Sequence, residues 1–336
     1  MGVLALLAVF AVGAVSAQEI SSSTARPEVT LSAVGDIRLN GPVGDIIRAH
    51  GAQAPVAAIK DLLSADIVFG NLETSVTKRG TKTPKTWNFR SPPQNLKALD
   101  EGGFTMVNLA NNHVWDYGEV GFRDTLSAVK KAGFLYIGGG KNLAEVSKPN
   151  IVEINGIKVG FLGFTSTFPM EAWARKNKPG VNYSDFDKFP AVIAAAKREC
   201  DVLVVSFHGG TELAEEPNQI QKDFMHLAVT AGADLILGHH PHVLQAVEVY
   251  KDKPILYSLG NFLFVSPAPA TRPTVIAKIT LNAQGVSRID FVPVDTNWGT
   301  PKPVSGEEAK AVFQALDRQG ALTQFPQRFK VLSSGS

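Results

Sequence analysis

Short apolar runs that end in polar or glycine clusters recur along the chain. The first covers residues 29–34 and stops at Gly35-Asp36. Later runs stop at Gly70-Asn71-Leu72-Glu73, Ala110-Asn111-Asn112-His113, His208-Gly209-Gly210 and Gly238-His239-His240-Pro241-His242. Amphipathic stretches at 122–133, 189–199 and 220–231 lie between them. Buried strands alternating with amphipathic helices predict a layered α/β fold.

The last third of the chain has a different pattern. Residues 255–258, 275–281 and 286–294 have the character of strands, and Asn282-Ala283-Gln284-Gly285 fits a hairpin turn. These strands predict a second sheet packed on the first. Residues 306–317 have helical spacing, and a loosely ordered tail is expected beyond Pro326. The main domain is expected to cover 29–300, with a C-terminal helix and tail at 301–336.

Composition narrows the class of protein. The chain has 336 residues, of which 44% are hydrophobic and 19% charged, as in a globular protein with a large core. One large domain or two closely packed ones would fit this length. The chain has 33 Lys and Arg residues and 31 Asp and Glu residues, so that its formal net charge is only +2. No strong positive field therefore favours nucleic acid as a partner. The single cysteine, Cys200, excludes an internal disulfide.

The N-terminus resembles a secretory signal. Residues 3–15 are small and apolar, and Val15-Ser16-Ala17 has the small-x-small pattern read by signal peptidase. We therefore expect a signal peptide at 1–17, a linker at 18–28 and a periplasmic or secreted protein. The alternative is a retained N-terminal membrane anchor, but the run is shorter than the roughly 20 residues of a transmembrane helix.

The polar clusters should meet, because ligand groups gather at the C-terminal ends of parallel strands. His240-Pro241-His242 places two imidazoles in a turn that proline stiffens, which favours a metal site. His208 is another strand-end imidazole. Asp36 is either a ligand or the cap of a turn, and Glu73 either binds metal or accepts a backbone hydrogen bond.

The segment around His113 permits two interpretations. Asn111 and Asn112 are either turn formers or, with His113, a ligand followed by an acid. Asp116 could orient the His113 ring through its second nitrogen. Glu212 faces either the same cavity or solvent.

At these motifs the sequence resembles the CapA family of poly-γ-glutamate capsule-synthesis proteins, which is related to the calcineurin-like metallophosphoesterases. The resemblance runs from about residue 29 to residue 264. The matching motifs are Gly35-Asp36-Ile37, Gly70-Asn71-Leu72-Glu73, Asn88-Phe89-Arg90-Ser91-Pro92-Pro93, Leu109-Ala110-Asn111-Asn112-His113 with Asp116 and Gly118, Gly238-His239-His240-Pro241-His242 and Tyr257-Ser258-Leu259-Gly260-Asn261-Phe262. The resemblance implies a four-layer α/β/β/α sandwich of the metallophosphoesterase type.

The resemblance also implies roles for individual residues. The site would bind one or two divalent ions, such as Mn, Fe or Zn, with Glu73 as the bridging carboxylate. Asn71 is an alternative to Glu73 in that role. His113 would be the proton donor. The other ligands would be Asp36, Asn112, His208, His240 and His242.

One departure from the related pattern concerns Arg38. The wider superfamily has Asp-x-His at the first strand end, whereas Asp36-Ile37-Arg38 places arginine where a second ligand would lie. One metal position thereby loses a ligand, and Arg38 and Arg90 could grip an anionic substrate. The remaining candidates for substrate contacts are Asn71, Asn111, Glu212, His239 and Asn261.

Two functions compete at this point. The first is a metal-dependent hydrolase acting on a phosphoester, with His113 as general acid. The second is a component of capsule assembly that holds an anionic polyglutamate chain without hydrolysing it, together with other capsule-synthesis membrane proteins.

Overall fold

Two β-sheets form the centre of the molecule. The computed structural model describes residue 2 and residues 27–332. In chain order, the strands of this part are β1 (Val29–Ile37), β2 (Ile67–Leu72), β3 (Ser75–Val76), β4 (Arg90–Ser91), β5 (Met106–Asn108), β6 (Leu135–Ile137), β7 (Gly139–Gly140), β8 (Asn150–Ile154), β9 (Ile157–Thr165), β10 (Gly180–Val181), β11 (Val202–His208), β12 (Leu235–His239), β13 (Val247–Tyr250), β14 (Lys253–Leu256), β15 (Asn261–Leu263), β16 (Pro273–Asn282), β17 (Gly285–Asp295), β18 (Lys302–Pro303) and β19 (Phe329–Val331).

The two sheets are both mixed. The nine-stranded sheet has the main path β18-β17-β16-β1-β2-β5-β6, with β15 beside β1 and β19 beside β17. The six-stranded sheet has the order β13-β14-β12-β11-β9-β8. Strands β1, β2, β5 and β6 are parallel to one another, and so are β9, β11 and β12. Each sheet therefore has an edge at which several C-terminal strand ends meet.

Helices pack against both sheets. They are α1 (Gly41–His50), α2 (Lys60–Leu63), α3 (Lys97–Glu101), α4 (Gly118–Lys131), α5 (Leu143–Val146), α6 (Phe189–Lys197), α7 (Gln219–Ala231), α8 (Gly306–Leu316) and α9 (Ala321–Gln324). The amphipathic stretches predicted at 122–133, 189–199 and 220–231 correspond to α4, α6 and α7.

Three apolar clusters define the layers. Phe69 and Phe161, one from each sheet, stack with ring centroids 6.2 Å apart in the cluster between the sheets. Phe122 of α4 packs on the outer face of the nine-stranded sheet, and Phe224 of α7 packs on the outer face of the six-stranded sheet. The molecule is thus a four-layer α/β/β/α sandwich, which confirms the predicted fold class.

An irregularity in β1 sets the direction of Asp36. Ala33 faces the core between the sheets, whereas Val34 and Ile37 face the helices. The pairing with β2 shifts between Ala33 and Asp36, so that one strand has an extra residue there. Bulges of this kind re-aim side chains. Here the extra residue brings Asp36 opposite Asn71 of β2.

The second sheet is not built as predicted. Residues 275–281 and 286–294 lie in the hairpin β16–β17, which joins the nine-stranded sheet beside β1. The six-stranded sheet instead takes its strands from 150–165, 202–208, 235–239 and 247–256. The prediction was wrong because alternation identifies a strand but not its partner. The predicted hairpin turn is present, since Asn282 pairs with Gly285.

The sheet continues past residue 300. Both β18 and β19 pair with β17. The loosely ordered tail predicted beyond Pro326 is therefore wrong for Phe329–Val331, where the buried Phe329 side chain and strand pairing hold the chain.

The predicted signal peptide, apart from Gly2, and most of the predicted linker lie outside the described residues. Among the residues described, no helix is both long enough and apolar enough to cross a membrane.

Candidate metal centre

The ends of β1 and β2 present four polar side chains on one side. Asp36 pairs in register with Asn71, and the next pair along the two strands is also in register. Because side chains alternate along a strand, Arg38 and Glu73, which come two residues after Asp36 and Asn71, point to the same side as those residues. Alternation along each strand and pairing between the strands therefore place two carboxylates, an amide and a guanidinium on the same side of the sheet end.

The six-stranded sheet supplies the imidazoles. His208 of β11 and His239 of β12 are paired in register at the strand ends. The chain then turns with φ of 98° at His240 and 61° at His242, values that are uncommon outside glycine. The backbone N–H of His240 donates to Oδ2 of Asp36 at 3.3 Å. This bond ties the turn of one sheet to the first strand of the other.

Glu73 is the most exceptional group of the cluster. It is fully buried, and within the described residues neither of its carboxylate oxygens has a hydrogen-bond partner. The Nε2 atoms of His208, His113 and His242 lie 3.6, 3.9 and 3.9 Å from Oε1. Burial, and then the charge of Asp36, raise the pKa of Glu73 well above its usual value. A buried carboxylate without donors is costly, and a bound cation would satisfy it.

Two groups of potential ligands share Glu73. One is Glu73, His208 and His240, and the other is Asp36, Glu73 and His242. In each group the ligand atoms all lie within 4.8 Å of one another. Asn112 adjoins the first group, because its Oδ1 lies 2.8 Å from Nε2 of His208. The structure thus brings together all six residues predicted as ligands, and this mixture of carboxylate and imidazole suits divalent ions.

The imidazoles of the first group are held in the form that binds metal. Burial lowers the pKa of His208 well below its usual value. Burial, and then the charge of His242, lower the pKa of His240 to about 3. Both rings are therefore neutral at pH 7 and have a free lone pair, as a metal ligand needs.

His242 and Asp36 form a tight acid–base pair instead. Burial lowers the pKa of His242, but the charge of Glu73 and the contact of its ring N–H with the Asp36 carboxylate outweigh it and raise that pKa to about 9. For Asp36, burial raises the pKa, but the imidazoles of His239 and His242, with Nδ1 atoms 3.6 and 3.2 Å from its carboxylate oxygens, outweigh it and hold the pKa well below normal.

His113 is oriented by its neighbours. Its Nδ1 lies 2.7 Å from Oδ2 of Asp116, and its ring stacks on Phe89 with centroids 3.8 Å apart. Nζ of Lys85 approaches the same Nδ1 at 3.2 Å and pairs with Asp116. Burial lowers the pKa of His113 to about 4, more than the bond to Asp116 raises it. The ring is thus neutral at pH 7, with Nε2 turned towards Glu73 and free to accept a proton.

The two predicted anion-binding arginines lie in different places. The guanidinium of Arg38 is held between the rings of Phe89 and Phe264, at 4.4 and 4.6 Å from their centroids. Arg90 is exposed and lies over Tyr117 at 4.2 Å. Neighbouring residues of a strand point to opposite sides, so that Phe89 faces the centre and Arg90 does not. Of the two, Arg38 alone contacts residues that flank the ligands.

Asn71 organises the floor of the centre. Its Nδ2 donates to Oδ1 of Asp36 at 2.8 Å and lies 3.1 Å from Nδ1 of His208. Its Oδ1 accepts from Asn108 at 2.9 Å and from Asn111 at 3.2 Å. Asn111 also bonds to three backbone groups of its own turn and of the β2 end. These contacts favour the turn-forming alternative for Asn111.

The other residues predicted to contact substrate border the ligands. Oδ1 of Asn261 lies 2.9 Å from Nδ1 of His242. His239 is fully buried, with Nδ1 3.6 Å from Oδ1 of Asp36. Glu212 is exposed, but its charge raises the pKa of both Glu73 and His242, which places it at the rim. Their contacts with substrate remain predictions.

Several residues of the centre were missed from the sequence. Asn108 ends β5 and could have been found by the same strand-end rule that identified Asn71. Lys85 and Phe264 lie on loops with no comparable signal, and Phe89 was noticed only as part of a motif. Their side chains reach His113, Asp116 or Arg38 through folding alone.

One side of the centre is open. A cavity of about 320 Å³ reaches Asn112 and His240 from outside. Ser166, Phe168 and Ile220 form its other walls. A substrate group can therefore approach the ligands of the first group directly.

The fold and the cluster together define the class of this protein: an α/β/β/α sandwich with a candidate metal centre where strands of both sheets end. A model of the family described as bacterial capsule synthesis protein PGA_cap matches residues 30–266, and the chain belongs to this family. This confirms the family resemblance identified from the motifs.

Similar proteins are known from several bacteria. The chain is 36% identical over 308 residues to the capsule biosynthesis protein CapA of Bacillus anthracis, covering 88% of this chain and 75% of the relative. It is 35% identical over 286 residues to the PGA biosynthesis protein CapA of Bacillus subtilis (strain 168), covering 84% and 75%. Among solved structures, it is similar to the NAD nucleotidase of Haemophilus influenzae, with TM-score 0.47, 13% identity and coverage of 91% of this chain. The chain spans 57% of that nucleotidase.

Proposed function

We propose that this protein acts in polyglutamate capsule synthesis through a divalent-metal centre that engages an anionic group of its substrate. The observation that carries the proposal is Glu73, a fully buried carboxylate whose two oxygens lack hydrogen-bond donors among the described residues while imidazole nitrogens surround it. A bound cation would satisfy these oxygens.

The residues fit an ion of the Mn, Fe or Zn type. Glu73, His208 and His240 would hold it with Asn112, and Asp36 and His242 form the second group. A bound divalent ion would polarise an anionic oxygen of the substrate and lower the pKa of a bound water. Asn71 and Asn261 orient Asp36 and His242 by hydrogen bonds, which fixes the ligands in place.

The substrate is proposed from the family and from charge. The matched relatives carry capsule and PGA biosynthesis in their names. The guanidinium of Arg38, held between two aromatic rings on the same side of the sheet end as Glu73, supplies a cation there. We propose a polyglutamate chain as the anionic partner, handled together with other capsule-synthesis membrane proteins. The apolar run at 3–15 and the Val15-Ser16-Ala17 site support export to the periplasm or beyond.

Metal analysis tests the proposal. We expect protein purified without chelator and dialysed against Mn²⁺ to retain metal, and His240→Ala to lose most of it, because a neutral buried ligand has gone. His226→Ala is the matched control. His226 of α7 bonds Glu248 of β13, and it lies outside both ligand groups. Elemental analysis gives the metal content of each. Equal and negligible metal in wild type and His240→Ala would overturn the proposal.

Hydrolysis of a phosphoester is the second candidate, and one observation favours it. The His113–Asp116 pair presents a neutral imidazole whose Nε2 faces the ligands. That is the geometry of a group that moves a proton during hydrolysis. A protein that only holds a polymer has no need of it.

His113→Gln separates the two candidates. If the protein hydrolyses phosphodiesters, we expect the Mn²⁺-dependent rate to fall on the order of 100-fold, the usual contribution of one acid–base group. Binding of poly-γ-glutamate, measured by calorimetry, should change little. A wild-type protein that binds the polymer and shows no Mn²⁺-dependent turnover would remove the hydrolase candidate and leave the first.

A further inference from the structure

We infer that the centre takes a single divalent ion, and that the guanidinium of Arg38 supplies the second positive charge beside Glu73. The inference rests on the proposed metal centre and specifies its stoichiometry. Two ligand groups share Glu73, which by itself would allow two ions. The position of Arg38 decides between one and two.

Strand pairing places Arg38 beside the shared carboxylate. Glu73 donates its backbone N–H to the carbonyl of Ile37 at 2.8 Å, which continues the pairing of β1 with β2. Arg38 is the next residue of β1, and its charge interacts with that of Glu73. The side chains of Asp36, Arg38 and Glu73 therefore share one side of the sheet end.

The guanidinium is fixed in this position. It lies between the rings of Phe89 and Phe264, and its Nη2 donates to the carbonyl of Val265 at 3.3 Å. Its Nε is buried without a partner among the described residues. Arginine stacks on aromatic faces and cannot lose its proton, so the positive charge stays in place.

The same contacts show which ligand group is affected. The ring of Phe264, which stacks with Arg38, lies 4.8 Å from the ring of His242. The other stacked ring, Phe89, lies against His113, which belongs to neither group. Arg38 also follows Asp36 by two residues, so that its neighbours in the chain and through Phe264 belong to the second group, Asp36, Glu73 and His242. Asn112 and His240, on the side of the first group, line the open cavity. We assign the single ion to that first group.

The charge balance agrees with one ion. With imidazoles neutral, as metal binding requires, the anions Asp36, Glu73 and Asp116, with Glu212 at the rim, face the cations Arg38 and Lys85. One divalent ion already balances the negative charge that remains. A second ion would add a further positive charge to a site that already has a buried guanidinium, where repulsion is only weakly screened. An anionic substrate group would instead be attracted by both the ion and Arg38.

Stoichiometry tests the inference without relying on activity. The full chain is stripped with chelator, dialysed against excess Mn²⁺ and analysed for metal content and by electron paramagnetic resonance. We compare wild type with Arg38→His, which replaces the cation by a ligand, and Arg38→Lys, which keeps the charge. Arg90→His is the matched control, because Arg90 stacks on Tyr117 at an exposed position. Thermal unfolding checks that each variant is folded.

We expect one ion per chain and an uncoupled signal in wild type, Arg38→Lys and Arg90→His. Arg38→His should bind two ions, a twofold gain, with an exchange-coupled signal. Two coupled ions in the wild type would overturn the inference, and so would a second ion in Arg38→Lys or a folded Arg38→His that still binds one. If Arg38→His does not fold, the wild-type and Arg38→Lys results decide. No bound metal in the wild type would overturn the proposed function itself, which is a different outcome.

Discussion

Glu73→Gln is expected to make the metal-free protein more stable and to abolish its stabilisation by metal. Glu73 is buried with both oxygens unpaired among the described residues, so that its charge is a cost in the absence of a cation. A neutral amide of the same size removes that cost, and we expect a gain of about 1–2 kcal/mol in the free energy of unfolding without metal. With metal the effect reverses, because the carboxylate shared by both ligand groups is gone.

The loss of metal affinity should be large. Changing residues that merely support ligands costs about 10–100-fold in affinity, so loss of the shared ligand should cost on the order of 100-fold or more. Urea unfolding with chelator and with excess Mn²⁺ measures both effects. A wild type held at 100 times its Kd would gain about 2.7 kcal/mol from metal, and the variant almost none.

The pH dependence gives an independent check on the same variant. The pKa of Glu73 is raised on folding, so that its contribution to stability is fully present below the unfolded value of 4.5 and is lost as pH rises through the folded value. The advantage of Glu73→Gln in chelator should therefore widen as pH increases above 4.5. Glu248→Gln is the control, because Glu248 is paired with His226 and Tyr257 away from the centre. A Glu73→Gln protein that is less stable without metal and still responds to Mn²⁺ would contradict this account.

Gly35→Ala is expected to destabilise the protein by about 3 kcal/mol, because an added methyl group has no space. A Cβ at Gly35 would lie 1.9 Å from the carbonyl oxygen of Gly260. That oxygen accepts the N–H of Asp36 at 2.9 Å, so that it cannot move away without releasing the ligand strand. Strand β1 would have to separate from the Gly260 loop.

The predicted loss should include metal binding. Asp36 and Asn261, which pair across this contact, orient His242. We expect Gly35→Ala to show a lower urea midpoint and a weaker response to Mn²⁺. Gly133→Ala is the control, because Gly133 has open space around it and a φ of 90°, so that only a backbone cost of about 1 kcal/mol is expected. Equal midpoints for Gly35→Ala and wild type would show that the contact is not tight.

The residues of the centre that lie at strand ends could be predicted, because their positions depend only on the order of residues along a short stretch of chain. Asp36, Glu73, Asn112 and His208 follow apolar runs directly, and a strand followed by polar residues ends at an edge whatever the rest of the fold. The turn at His240-Pro241-His242 was recognisable from its composition. Lys85 and Phe264 were not, because each reaches the centre from a loop whose course depends on distant contacts.

The sequence also could not predict which strands pair with one another. Residues 275–281 and 286–294 were identified as strands, but alternation is the same for either sheet, and only packing against β1 put them in the nine-stranded one. The position of Arg90 shows the same limit on a smaller scale. Which of two neighbouring residues faces a site depends on the register of a short strand, and here Phe89 faces it.

The sequence by itself determined the layered α/β fold, the family and the chemical types of residue at the strand ends, because these follow from periodicity and motif order. Only the tertiary structure decided that the ends of two different sheets meet. It also decided that the bulge at Gly35 turns Asp36 towards Asn71, and that Arg38 lies fixed beside Glu73. The physical reason is that hydrophobic patterning records which face of an element is buried, whereas the distance between two charges depends on how the elements pack.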